Sequence, residues 1–238
     1  MEIIKDKNIL IVGATGGIGK ATALLLKQSG ANLFITSSNE SKLAELSAEL
    51  DLPRNQTFLL DITDANAVKN VAENIHQQIP AIDILINAAG IGIIKPIENL
   101  SEQDFMQTVQ VNLAGAFYVV KNFIEPMKIA KKGLIINIPG VLGKTPMAGA
   151  AAYSASKYGL NGMMKSIREE LKRTDIRITN IFLGGTDSPF WDHIDLRVQR
   201  DKFVQATEVA KSIWFLCQQP SSGVVSELVL QPFNHQAI

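Results

Sequence analysis

Short, wholly apolar runs alternate with amphipathic stretches along the whole chain. Residues 8–12, 32–36, 56–60, 82–86, 133–138, 177–182 and 226–230 read as strands. Between them, helical period runs over 17–29 with Ala21, Leu24 and Leu25 facing inward, and then over 40–50, 65–78 and 101 to about 127, with Ser101 as N-cap. A further helix begins near Tyr153, and a last one covers 207–217. A strand with one face in water alternates polar and apolar residues, and these strands do not. The pattern therefore predicts an α/β fold, a doubly wound parallel sheet of about seven strands with helices on both faces. In such sheets ligands bind beyond the carboxyl ends of the strands, where strand order reverses, so chemistry is sought just after each strand.

Composition leaves that picture intact and removes several others. The 238 residues, 46% hydrophobic, suffice for one core, and no repeat or linker divides them, so 1–238 reads as a single domain. Lys plus Arg and Asp plus Glu each number 23, which argues against a nucleic-acid surface. Cys217 has no partner for a disulfide and lies beside Trp214, Phe215 and Leu216, as a buried helix residue would. His76, His193 and His235 lack metal-ligand spacing, and no metal is expected. The first apolar run is short and follows Glu2, Lys5, Asp6 and Lys7; the longest, near 113–120, is far below spanning length. A soluble cytoplasmic protein with no membrane partner is the expectation.

The strand ends carry the candidate chemistry. After the first strand comes Gly13-Ala14-Thr15-Gly16-Gly17-Ile18-Gly19. Glycines let a backbone turn tightly and approach a pyrophosphate, held by free N–H groups at the next helix's N-terminus. Gly13, Thr15, Gly16, Gly17, Ile18 and Gly19 are thus candidates to bind a dinucleotide, against the plainer reading of a glycine-rich turn. The second strand ends in Thr36-Ser37-Ser38-Asn39, without the carboxylate that would repel a 2′-phosphate and without an Arg to hold one. NADP is preferred and NAD allowed; Ser37 is either a donor to that phosphate or a turn former. Asp61-Ile62 and Asn87-Ala88-Ala89-Gly90 follow the third and fourth strands. Tyr153 and Lys157, four apart, share one helix face, where a cation favours the phenolate and lowers the phenol's pKa.

The glycine loop, Asp61, Asn87-Ala88-Ala89-Gly90, Asn112 within Val111-Asn112-Leu113-Ala114-Gly115, and Tyr153 with Lys157 stand in one order along the chain. In that order and spacing the chain resembles the short-chain dehydrogenase/reductase family from end to end. The resemblance implies a Rossmann-type sheet, a nicotinamide cofactor, and hydride transfer to or from the carbon of a small or acyl-chain carbonyl or alcohol. It implies that Asp61 and Ile62 contact the adenine and that Asn87, Ala88 and Ala89 lie along the cofactor. Tyr153 would be the acid/base, Lys157 would lower its pKa and hold ribose hydroxyls, and Asn112 would position a water leading from Lys157. A homodimer or homotetramer, joined through the long helices and last strand, is implied as well.

Two departures stand out. The family's catalytic serine, thirteen positions before the tyrosine, is Gly140 here. Loss of one preorganised donor to a reacting oxygen typically lowers a rate by about 10²–10³. Thr145 is a candidate substitute, and the alternative function is a nucleotide-binding pseudoenzyme or redox sensor with weak turnover. After the sixth strand, Leu183-Gly184-Gly185-Thr186-Asp187-Ser188-Pro189 carries an extra glycine expected to loosen the loop, with Thr186 near the nicotinamide and Ser188 offering a hydroxyl. Residues 188–207 would cover the substrate, Phe190 and Trp191 as an apolar lid, while Arg197, Arg200 and Lys202 meet an acidic group or remain solvated. The ending Ser226 to Pro232 resembles the branch acting on small hydroxy acids.

Overall fold

The computed structural model describes every residue except Met1, Glu2, Asp195 and Ser221, so one position of the 188–207 segment lies outside the described residues. β1 (Asn8–Val12) leads through the glycine turn into α1 (Gly17–Gln28). β2 (Asn32–Ser37), α2 (Glu40–Glu49), β3 (Thr57–Leu59), α3 (Ala65–His76) and β4 (Ile84–Asn87) continue the alternation. Then come α4 (Glu102–Val109), a π turn over Gln110–Gly115, α5 (Ala116–Ala130), β5 (Gly133–Asn137), α6 (Ala151–Leu171) and β6 (Ile176–Leu183). The two-residue strands β7 (Thr186–Asp187) and β8 (Val204–Gln205) pair with each other before α7 (Ala206–Leu216) and β9 (Glu227–Leu230).

Seven strands form one parallel sheet in the order β3-β2-β1-β4-β5-β6-β9. Strand alternation sends Ile9, Ile11, Ile84, Ile86 and Ile136 to one face, under Ala23 and Leu26 of α1, Leu43 and Leu46 of α2, and Val209 and Ile213 of α7. Leu10, Val12, Leu85, Ile135 and Ile178 face the other way, under α3, α5 and α6, around the fully buried Phe123 and Met164. Both faces being covered is why the strands read as unbroken apolar runs. Strand order reverses between β1 and β4, where Val12 is level with Asn87, and that fixes the crevice in which a ligand would lie.

Two local expectations are corrected. The buried face of α1 is Gly19, Thr22, Ala23 and Leu26, whereas Ala21, Leu24 and Leu25 are only partly buried. Gly19 sets this phase, because a Cβ there would lie 2.3 Å from the Gly13 carbonyl oxygen and the helix turns its bare edge to the loop. The helix expected from 101 to about 127 runs continuously from Glu102 to Ala130, with the π turn as a bulge inside it. Ser101 does cap its start, in a reciprocal pair with Asp104. Finally, Asn87 belongs to β4 rather than to the turn after it. Among the described residues, no helix is long and apolar enough to cross a membrane.

Candidate active site

The crevice at the strand reversal is built by glycine. Gly13 has φ +77°, and a Cβ there would stand 2.7 Å from the Ala89 backbone, so the glycine loop and the turn after β4 touch directly. Gly17 lets the Ser188 side chain come equally close. Gly16, the N-cap of α1, offers no side chain to the first turn, so the first N–H groups of α1 have no side-chain acceptor and face the crevice. Such a cradle suits a pyrophosphate.

At the end of β2 the Thr15 and Ser37 hydroxyls are 2.6 Å apart, and Ser37 Oγ also accepts from the Asn39 backbone N–H. Two hydroxyls and no carboxylate therefore face the crevice here. Asp61 is exposed, one carboxylate oxygen closing a turn onto the N–H and hydroxyl of Thr63, while Ile62 packs against Gly115 of the π turn. Ala88 N–H donates to the Val12 carbonyl, which ties β4's turn to β1. Asn87, two residues beyond Leu85, shares its face, so its amide is buried on the α5–α6 side, level with Asn137 and Asn180 on the neighbouring strands, and its Oδ1 has no hydrogen-bond partner among the described residues.

Tyr153 lies in the first turn of α6, which begins two residues before it, at Ala151. Lys157 Nζ is 5.4 Å from the centre of the Tyr153 ring and donates to the Ile138 carbonyl at 3.0 Å. Burial pushes the Lys157 ammonium down to about 8 and holds the Tyr153 phenol well above its ordinary range. The expected lowering of the phenol by Lys157 is therefore corrected: desolvation outweighs the cation, which lies over the ring at 5.4 Å from its centre and is tied to a carbonyl. Gly90 keeps this corner open, since a Cβ there would lie 3.4 Å from Lys157 Nζ and 3.1 Å from Asn112 Oδ1.

Asn112 sits in the π turn, 1% exposed. Its Oδ1 accepts from the Ile91 N–H, and its Nδ2 donates to the Ile91 carbonyl and to Ser156 Oγ. Ser156 in turn donates to the Tyr153 carbonyl at 2.7 Å. The amide thus joins the β4 turn to the tyrosine's own turn of helix. Sequence reasoning did not single out Ser156 or Ile91. Their signal was present, a serine between Tyr153 and Lys157 and a residue just past Gly90, but nothing in the spacing showed that Asn112 bridges them.

The position expected to carry serine is open. Gly140 has φ +70° and ψ 169°, and a Cβ there would point between the Tyr153 hydroxyl, 4.0 Å away, and the Leu183 carbonyl oxygen, 3.5 Å away. The Thr145 hydroxyl makes no hydrogen bond among the described residues. Over the tyrosine lies Phe190, its ring 5.7 Å from that of Tyr153 and fitted into a notch at Gly92, where a Cβ would clash at 2.2 Å. The extra glycine does not loosen the loop: Gly185 seats the Phe203 ring, Gly184 packs on Pro232, and Thr186 donates to the Gly184 carbonyl. Arg200 is likewise corrected. Its guanidinium is taken up within the chain by Asp187 and Asp192.

The sequence and the fold have counterparts among known proteins. A model of the family described as short chain dehydrogenase matches residues 7–198. A 3-oxoacyl-[acyl-carrier-protein] reductase of Thermotoga maritima is 32% identical over 236 residues, covering 95% of this chain and 96% of that protein. A sepiapterin reductase of Chlorobaculum tepidum is 28% identical over 233 residues, covering 94% and 95%. Among solved structures, a metagenomic short-chain oxidoreductase in complex with NADP superposes with a TM-score of 0.82 at 26% identity, over 97% of this chain and 99% of that one. Serine dehydrogenase from Escherichia coli shares the fold, with a TM-score of 0.86 at 24% identity, over 96% and 99%.

Proposed function

The chain belongs to the short-chain dehydrogenase family and is an oxidoreductase; on that premise we propose that it moves hydride between NADP(H), with NAD(H) second, and a small or acyl-chain carbonyl or alcohol. The observation that carries this reading is Tyr153, with Lys157 beside its ring, placed at the carboxyl end of the sheet next to the glycine cradle. The cradle fits a dinucleotide: Gly13, Gly16, Gly17, Ile18 and Gly19 beneath the pyrophosphate, Thr15 and Ser37 at the adenosine ribose, Asp61 and Ile62 at the adenine. Ala88, Ala89, Lys157 and Thr186 would hold the nicotinamide end. When bound, the nicotinamide supplies or accepts the hydride.

The chain's own residues handle the proton and the geometry. Tyr153 holds a proton at its hydroxyl near neutrality, because burial disfavours the phenolate, and donates it to the substrate oxygen as charge develops there. Lys157, near 8, is a cation at neutral pH yet able to give up its proton, which suits a group that resupplies the tyrosine. Asn112 and Ser156 fix the helix turn that carries both. Phe190 keeps water from the tyrosine face. Two hydroxyls without a carboxylate at the end of β2 support NADP, and the Thermotoga relative's name supports an acyl-chain substrate. Exposed Phe117, Tyr158, Phe215 and Val229 on α5, α6, α7 and β9 support a homodimer or homotetramer, which sedimentation tests.

Titration with NADPH and NADH, followed by a carbonyl panel with the preferred cofactor, tests the reading. Cofactor oxidation at least about 10²-fold slower in Tyr153→Phe is expected; turnover in that variant within about tenfold of the unsubstituted protein would overturn it. The bare position at Gly140 favours one alternative, a nucleotide-binding protein of weak turnover, and tight cofactor binding without turnover on any carbonyl would select it.

A further inference from the structure

Residues 186–205 carry a device that the hydride-transfer reading does not require. Arg200 ties the segment together with three hydrogen bonds: Nε donates to Asp187 Oδ1 at 2.7 Å, Nη1 to Asp192 Oδ1 at 2.7 Å, and Nη2 to the Ser188 carbonyl at 3.1 Å. Three acceptors within six residues thus close on one side chain. Between them, in the turn Pro189–His193, sits Phe190, whose ring reaches Tyr153. Trp191 packs edge-on to Phe190 and against Phe203, and its indole N–H donates to the Thr186 carbonyl. β7–β8 pairing closes the far end.

An exposed ion pair on its own contributes little to stability. Here one planar guanidinium meets three differently placed acceptors at once, a geometry Lys cannot reproduce with a single point charge. Rings wedged at Gly92 and Gly185 leave the segment few other ways to pack. We propose that Arg200 is a positioning residue which, by tying Asp187, Ser188 and Asp192 together, holds the Phe190 ring against Tyr153 and so shapes the substrate side of the site. The consequence for catalysis rests on the hydride-transfer reading; the consequence for Tyr153 does not. The Phe190 ring lies against that of Tyr153, and among the described residues Lys157 is the charged group beside the tyrosine ring.

Arg200→Ala, Arg200→Lys and Phe190→Ala in the full chain test this, with three readouts. Amide exchange over the segment is expected to quicken by at least about tenfold in Arg200→Ala and by less in Arg200→Lys. In protein labelled at tyrosine Cζ, with Tyr153 assigned through Tyr153→Phe, its resonance is expected to shift in Arg200→Ala in the same direction as in Phe190→Ala, where the neighbouring ring is gone. On a substrate from the panel, KM is expected to rise about tenfold in Arg200→Ala with kcat within about threefold. Unchanged exchange in Arg200→Ala would overturn the latch. Faster exchange with an unmoved Tyr153 resonance would overturn its link to the tyrosine. If no carbonyl is turned over at all, the hydride-transfer reading fails while exchange and the Tyr153 resonance still decide Arg200, and Arg200→Lys decides it if Arg200→Ala does not fold.

Discussion

Lys157 stands 5.4 Å from the centre of the Tyr153 ring, yet its hydrogen bond goes to the Ile138 carbonyl at 3.0 Å. The pair is thus a neighbourhood rather than a bond, and the lysine is both buried and, among the described residues, without an anion to balance it. Its folded-state pKa of about 8 lies below the ordinary 10.5. Below pH 8 both folded and unfolded chains carry the proton and the fold bears the burial penalty. Between about 8 and 10.5 the unfolded chain binds more protons, so this group makes stability rise with pH, by on the order of 3 kcal/mol across the window. Lys157→Met is expected to remove that rise, as denaturant melts across the pH range would show. Equal pH slopes in both proteins would refute it.

Tyr153 is the acid/base on which the proposed chemistry turns. Its replacement by Phe keeps the ring that packs on Phe190 and removes only the hydroxyl. A positioned acid or base contributes about 10²–10⁴ in rate, and kcat is expected to fall by that much, with cofactor affinity held within about twofold. Steady-state kinetics beside a fluorescence titration separate the two.

Cofactor choice should turn on the hydroxyl pair Thr15–Ser37. A carboxylate introduced by Ser37→Asp can still accept the Asn39 N–H, so the turn survives, but it would oppose a 2′-phosphate. Like charges forced together cost several kcal/mol, and NADPH affinity is expected to weaken on the order of 10²-fold while that for NADH holds or improves. Titration of both nucleotides against the variant checks this; NADPH binding left intact would place the phosphate elsewhere.

The sheet was legible because burial on both faces leaves an unmistakable record, unbroken apolar runs such as Ile9 to Val12 and Ile84 to Ile86. The site's ingredients were legible for a related reason: Gly13, Ala89 and Tyr153 are residue types demanded by close approach or by proton chemistry. What pattern could not carry was connection. That Asn112 grips Ile91 and Ser156 follows from a π turn, which shifts the helix by one residue and has no compositional mark here. Arg200 reads as an ordinary surface cation until the chain folds Asp187 and Asp192 onto it, and nothing in the spacing shows that the Phe190 ring, thirty-seven places along, comes to lie against Tyr153.

Gly140 is where sequence and structure together sharpen a question. An absent hydroxyl suggests that restoring serine would restore rate, and the Cβ direction, toward the Tyr153 hydroxyl at 4.0 Å, encourages that view. The backbone argues otherwise. At φ +70° and ψ 169° the residue occupies a region open in practice to glycine alone, and a side chain there is expected to lower stability by about 1–3 kcal/mol. The β5–α6 turn is therefore built for glycine rather than merely lacking a serine. Gly140→Ala carries the strain without the hydroxyl, and Gly140→Ser carries both. Both variants are expected to melt several degrees lower than the unsubstituted protein, with kcat equal to one another within about threefold. Serine outrunning alanine by orders of magnitude would instead show that one hydroxyl is all the site lacks, and would make weak turnover the chain's native condition.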